Sequence, residues 1–189
     1  MWVIFLYCLI SLLTEPSTFF LRHKVDRFYI FACFTIIEYT LFTFFLYSSL
    51  KDKRFKYVPI IGSLIFYVMA IINFINKKSE TFDSLSASVE AILIIAYSIL
   101  FLYEQIKDPS VMYVYNSKKF WIIIAFFLYF SSTLFLFLYA ATFTSQEHNN
   151  YWSINNSFDI LKNILFCLSF TMKTSKKKSN PFENFNPDM

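Results

Sequence analysis

Apolar residues in this chain come in long unbroken runs, and short charged or polar stretches punctuate them. Six runs can be drawn, over residues 1–20, 28–50, 57–75, 85–103, 120–142 and 154–172. The intervening stretches, such as 51–56, 76–83 and 144–150, are rich in Lys, Asp, Glu and Asn. A helix crossing the ~30 Å hydrocarbon core needs about 20 mainly apolar residues. The pattern therefore predicts an all-α polytopic membrane bundle of six transmembrane helices over residues 1–172. A short basic tail, 173–189, is expected to be disordered. The first run is the weakest, because Glu15 and Pro16 break it near its end. It does not read as a cleaved signal peptide, since no Lys or Arg precedes it and no small-x-small site follows.

Composition removes the other classes. Hydrophobic residues make up 57% and charged residues 16% of the 189, where a soluble domain has ~25% charged. The single Gly leaves too few turn residues for a β-barrel, and the chain is too apolar to be disordered. The formal charge of +4 is mainly a topology signal. Arg22, Lys24, Arg27, Lys77 and Lys78 fall on one side. Lys51, Lys53, Arg54, Lys56, Lys107, Lys118, Lys119, Lys173, Lys176, Lys177 and Lys178 fall on the other. Cytoplasmic loops hold the excess, so both termini are expected in the cytoplasm. Trp2, Trp121 and Trp152 fall near helix ends, as an aromatic belt requires. The expected surroundings are the lipid bilayer and, at the basic tail, anionic lipid. Nucleic acid is not an expected partner.

Ionisable groups inside a span are functional hypotheses by default. Glu15, Glu38, Glu90, Asp159 and Lys162 qualify, and Glu15 can reach water near its helix end. Glu38 stands at mid-span and must be paired, wetted or protonated. Ser86, Glu90, Tyr97 and Glu104 follow at helical spacing and predict an inward polar stripe, with Leu85, Ile92, Ile95, Ile99 and Leu102 opposite. In the last span Asn155, Asn156, Asp159, Lys162 and Asn163 cover about 120° of arc. Asp159 and Lys162 can pair at i,i+3, and Lys162 can instead reach Glu90 or Glu38. Glu15, Asn73, Glu90, Thr142, Asn155, Asn156 and Asp159 lie in the outer halves of their helices, with Glu38 as the floor. They predict an outward-facing pocket sealed on its inner side. Its candidate ligand-binding residues are Glu38, Glu90, Tyr97, Asn156, Asp159, Lys162 and Asn163.

No recognisable catalytic set appears: His23 and His148 stand in loops, and HExxH, paired Asp and Ser–His arrangements are missing from the sequence. The expectation is therefore no enzyme, no cofactor and no metal. Cys8, Cys33 and Cys167 all lie in apolar runs and read as packing residues. Broken helices of the transporter kind are expected only where Pro59 and Gly62 leave the third helix room to deform. A sensor or accessory signalling subunit with a cytoplasmic or membrane partner is the first functional expectation. The second is a small-solute or proton-coupled transporter using Glu38 and Glu90.

Several strings carry a resemblance: Leu12-Leu13-Thr14-Glu15, Thr35-Ile36-Ile37-Glu38-Tyr39, Val89-Glu90-Ala91-Ile92-Leu93 and Phe120-Trp121-Ile122. Tyr129-Phe130-Ser131-Ser132 and Leu161-Lys162-Asn163-Ile164-Leu165-Phe166 belong with them. Together they resemble a family of uncharacterised bacterial membrane proteins with about seven helices, often encoded beside two-component sensors. The resemblance implies the bacterial inner membrane and a signalling role. It also implies a chain short by one N-terminal helix, because this one begins inside the helix that ends in Leu-Thr-Glu.

Overall fold

The computed structural model describes residues 1–20, 27–75, 84–107, 117–139 and 145–172, with the side chains of 15–20, 27, 84, 137, 139 and 145–152 left aside. The tail 173–189 lies outside the described residues. Among the described residues six helices follow one another: α1 (Trp2–Phe20), α2 (Arg27–Ser49), α3 (Lys53–Ile75), α4 (Ser84–Lys107), α5 (Lys118–Tyr139) and α6 (Ser145–Thr171). No strand occurs among the described residues. In hydrocarbon every backbone N–H and C=O must be satisfied within the segment, which leaves the helix as the form for an apolar run. Among the described residues four helices are long and apolar enough to cross a bilayer: Phe28–Ser49, Lys53–Ile75, Leu85–Lys107 and Lys118–Leu136. The chain is thus a multi-pass membrane protein. In α1 the apolar stretch Trp2–Thr14 is shorter, and α6 has the length but carries the polar set. That helix also starts nine residues before the expected 154, because hydropathy marks immersion in lipid and not the end of backbone pairing.

Helix α4 is the centre of the bundle. It packs on α2, α3 and α5, while α5 carries α6 and α2 carries α1. The expected stripe is the reason: Ser86, Glu90, Tyr97 and Glu104 are all buried, and Leu85, Ile92 and Ile99 are about half exposed. Lipid is as apolar as leucine, so close packing replaces the hydrophobic effect as the force between helices. Here aromatic rings supply it. Phe42 lies 4.2 Å from Phe126, which meets Phe166 edge-on at 5.7 Å. Tyr7 contacts Phe42 at 4.5 Å and Phe166 at 6.2 Å. Several hydroxyls in the apolar halves are satisfied locally: Thr40, Ser63, Ser98 and Thr133 each donate to the carbonyl four residues back.

Pro59 and Gly62 do not break α3, which continues through both. They lie on its buried face with Phe66 and Ala70. Without a side chain, Gly62 lets the Tyr97 hydroxyl of α4 come close: a Cβ placed there would lie 1.9 Å from Tyr97 Oη. The expected hinge is a packing contact.

Glu104 plays a different part from the rest of its stripe. Its two oxygens accept the Lys51 N–H at 3.0 and 2.9 Å, and Oε1 also accepts the Asp52 N–H. Asp52 in turn caps α3 by accepting the Arg54 N–H at 2.9 Å. A carboxylate at the positive end of α3 is favoured by the helix dipole, so Glu104 clamps the α2–α3 turn to α4. Glu104→Gln turns an N–H donor toward N–H donors and is expected to lower stability by about 1–3 kcal/mol. Reversible unfolding in detergent micelles checks this, and an unchanged midpoint would contradict the clamp.

Candidate functional site

Lys162 enters the bundle from the seventeenth position after Ser145, on the face of α6 that also carries Phe166 and Ser169, and only 2% of it is exposed. Its Nζ lies 2.6 Å from Asp159 Oδ1 and 3.9 Å from Glu38 Oε1. It donates to Tyr7 Oη at 2.6 Å, and Tyr7 donates to Glu38 Oε1 at 2.9 Å. The Tyr129 ring covers the ammonium with its centroid 4.0 Å away, near enough for cation–π attraction. The Tyr7 ring centre is 4.9 Å away and is reached past its hydroxyl, so Tyr7 acts as a hydrogen-bonding partner and Tyr129 as the π face. Four helices therefore meet at one cation: α1 through Tyr7, α2 through Glu38, α5 through Tyr129 and α6 through Asp159.

The chain Asp159–Lys162–Tyr7–Glu38 has an ordered direction. Asp159 and Lys162 neutralise one another, and Tyr7 relays a donor from the ammonium to Glu38. Glu38 is the surplus carboxyl, and at 7% exposed it depends on these donors. Only Asp159 reaches the surface appreciably, its side chain 36% exposed against 1% for Lys162. Glu90 is buried on α4.

The expected ion pair of Lys162 is present, with both Asp159 and Glu38 in reach. The α6 arc, however, straddles the boundary of the bundle. Lys162 is inside, Asp159 is at the rim, and Asn156 and Asn163 are exposed on the outer surface. Asn163 donates to Asp159 Oδ2 at 3.1 Å and so meets the cluster from outside. The buried Oδ1 of Asn155 has no hydrogen-bond partner among the described residues. Tyr97 is not at Lys162 at all. It shares a hydrogen bond with Tyr39 at 3.2 Å, and Tyr39 with Ser63 at 3.2 Å, which makes a hydroxyl cluster among α2, α3 and α4. Glu15 and Thr142 fall outside the described side chains.

A cavity of about 330 Å³ lies between α1 and α2, lined by Ile10, Thr14, Tyr29, Ile30, Cys33, Phe34 and Ile37. Its lining is mostly apolar, and none of the seven candidate residues lines it. Cys33 and Cys167 are exposed and only Cys8 is partly buried, so the first two are not the core residues their runs suggested. Among the described residues no group of His, Cys, Asp and Glu is placed to hold a metal ion.

Tyr7 and Tyr129 are the residues sequence reasoning passed over. The available signal was a tyrosine deep in an apolar run, whose hydroxyl needs a partner in hydrocarbon. No family model, curated protein or solved structure matches this chain.

Proposed function

We propose that this protein is a non-enzymatic sensor or accessory signalling subunit of a bacterial inner membrane, with both termini cytoplasmic. The observation that carries this reading is the meeting of four helices at Lys162, with one rim carboxylate, Asp159, as the exposed member. A change of charge or a cationic ligand at Asp159 alters the field at the ammonium, and with it the contacts of α1, α2 and α5. Packed cores respond to such a change by switching between discrete arrangements. The output then passes to a cytoplasmic or membrane partner at the inner helix ends.

Purified protein in liposomes loaded with a pH-sensitive dye tests the reading. In a Trp2→Phe/Trp152→Phe background, Asp159→Asn, which removes the rim charge, is expected to shift the fluorescence of Trp121 at the start of α5, and an unchanged spectrum would contradict the reading. No proton flux is expected. Flux that disappears in Glu38→Gln would replace the sensor with a proton-coupled transporter using Glu38 and Glu90.

The orientation has its own check. In a cysteine-free background, His148→Cys is expected to react with an impermeant thiol reagent from outside, and Arg54→Cys only after the membrane is opened. Reaction of both from one side would contradict the topology.

A further inference from the structure

The outward flank of α6 carries amides where lipid alone would have to solvate them. Asn156, Ile160, Asn163 and Cys167 are all exposed. They follow at steps of four, three and four, which at about 100° per residue puts them in one narrow stripe. Lys162 pairs with Glu38, at the middle of α2 (Arg27–Ser49), so the adjacent Asn163 stands at mid-depth in the bundle. Asn156 is about 10 Å along the helix from Asn163, still within the ~15 Å half-thickness of the hydrocarbon. The next flank, with Leu161, Ile164 and Leu168, is exposed and apolar, as a lipid-facing surface should be.

A carboxamide left in hydrocarbon is costly. Asn163 gives one N–H to Asp159 Oδ2, and its carbonyl oxygen takes no partner among the described residues. We propose that this stripe is the interface of a parallel homodimer, with α6 of one copy against α6 of another about a two-fold axis normal to the membrane. The amide itself argues for a second copy as occupant. It both donates and accepts, so an asparagine facing its own symmetry mate satisfies both groups at the same depth. A helix of unrelated sequence would have to present a matching amide at that level. The charge balance agrees: Asp159 beside the stripe is neutralised by Lys162 at 2.6 Å, which removes the repulsion two facing carboxylates would create.

The stripe places the two copies of Cys167 opposite one another. In membrane vesicles, the Cys8→Ala/Cys33→Ala protein treated with copper phenanthroline is expected to form a covalent dimer. Two thiols are oxidised to one disulfide, their two electrons passing to copper(II) and their two protons to solvent. Cys167→Ala is expected to abolish the product. In liposomes diluted over a range of protein-to-lipid ratios, single-molecule photobleaching is expected to show dimers that Asn163→Leu weakens about five- to thirtyfold. Asn163→Gln should retain more of the association. Ile160→Trp adds bulk at a position 61% exposed and is expected to dissociate the dimer without lowering the unfolding midpoint of the monomer. That variant decides the matter if Asn163→Leu fails to fold. Monomers at every dilution would overturn the proposal. So would dimerisation indifferent to both Asn163→Leu and Ile160→Trp, or a Cys167 cross-link to a different membrane protein in place of the dimer.

Discussion

Lys162→Met is expected to destabilise the bundle by about 3–5 kcal/mol, the usual cost of removing one partner from a buried ion pair. The methionine fills nearly the same volume, so packing changes little and the loss is electrostatic. Three groups lose their donor or counter-charge together. Tyr7 Oη loses a donor at 2.6 Å, Glu38 a cation at 3.9 Å and Asp159 a cation at 2.6 Å. Their shares differ. Asp159 is about one third exposed and keeps the Asn163 N–H as a donor at 3.1 Å, so its share is the smaller. Glu38 is enclosed and, among the described residues, keeps only the Tyr7 hydroxyl as donor. Lys162→Arg keeps the charge but brings a planar fork to a site shaped for a compact ammonium beneath the Tyr129 ring. It is expected to recover only part of the loss. Unfolding midpoints in micelles, with helicity as readout, measure both variants. A Lys162→Met protein as stable as the parent would mean that the ammonium does not hold the helices.

The second large effect is expected at Gly62. In Gly62→Ala the new Cβ would lie 1.9 Å from Tyr97 Oη, 3.0 Å from Tyr97 Cζ and 3.3 Å from a Leu93 methyl. The phenol has little room to retreat, because Tyr97 is 1% exposed and its hydroxyl is bonded to Tyr39. Overpacking of this kind costs typically 1–3 kcal/mol. A gain of roughly 1 kcal/mol in helix propensity offsets part of it, and the larger Gly62→Leu is expected to reach or pass the top of the range. The mechanism makes a specific demand on a second site. Tyr97→Phe removes the oxygen at 1.9 Å and leaves Tyr39 its bond to Ser63. The pair Gly62→Ala/Tyr97→Phe should therefore be more stable than Gly62→Ala alone. Strictly additive effects would show that the two residues do not meet.

Much of this arrangement is legible in the residue pattern, and the exceptions share a cause. Helices α2 to α5 follow from apolar runs long enough to span a bilayer. The stripe on α4 follows from helical spacing, since a row of Ser86, Glu90, Tyr97 and Glu104 has nowhere but the interior to go. The Asp159–Lys162 pair is local, three residues apart, and Glu38 as a partner follows from its depth. What is missing from the pattern depends on a neighbour in space. Gly62 reads as freedom along the chain and turns out to be room for another helix's hydroxyl. Tyr7 and Tyr129 read as packing aromatics because nothing in their own helices shows that an ammonium from α6 will arrive. Asn156 and Asn163 belong to the same arc as Lys162, yet the interior face is narrower than that arc. Where its edge falls is set by how α6 leans on α5 and α1. Tyr97 shows the same limit: its face is legible, but its partners on α2 and α3 are not.

The most direct test of the shared cation at the centre of the bundle is a double-mutant cycle between Lys162 and Glu38, measured by reversible unfolding in micelles. Lys162→Met, Glu38→Gln and the pair together are compared with the parent. The 3.9 Å contact and the Tyr7 hydroxyl that links them predict a double variant more stable than Lys162→Met alone, with a coupling of about 0.5–3 kcal/mol. Two effects that simply add, with no coupling, would mean that Lys162 and Glu38 do not share one site.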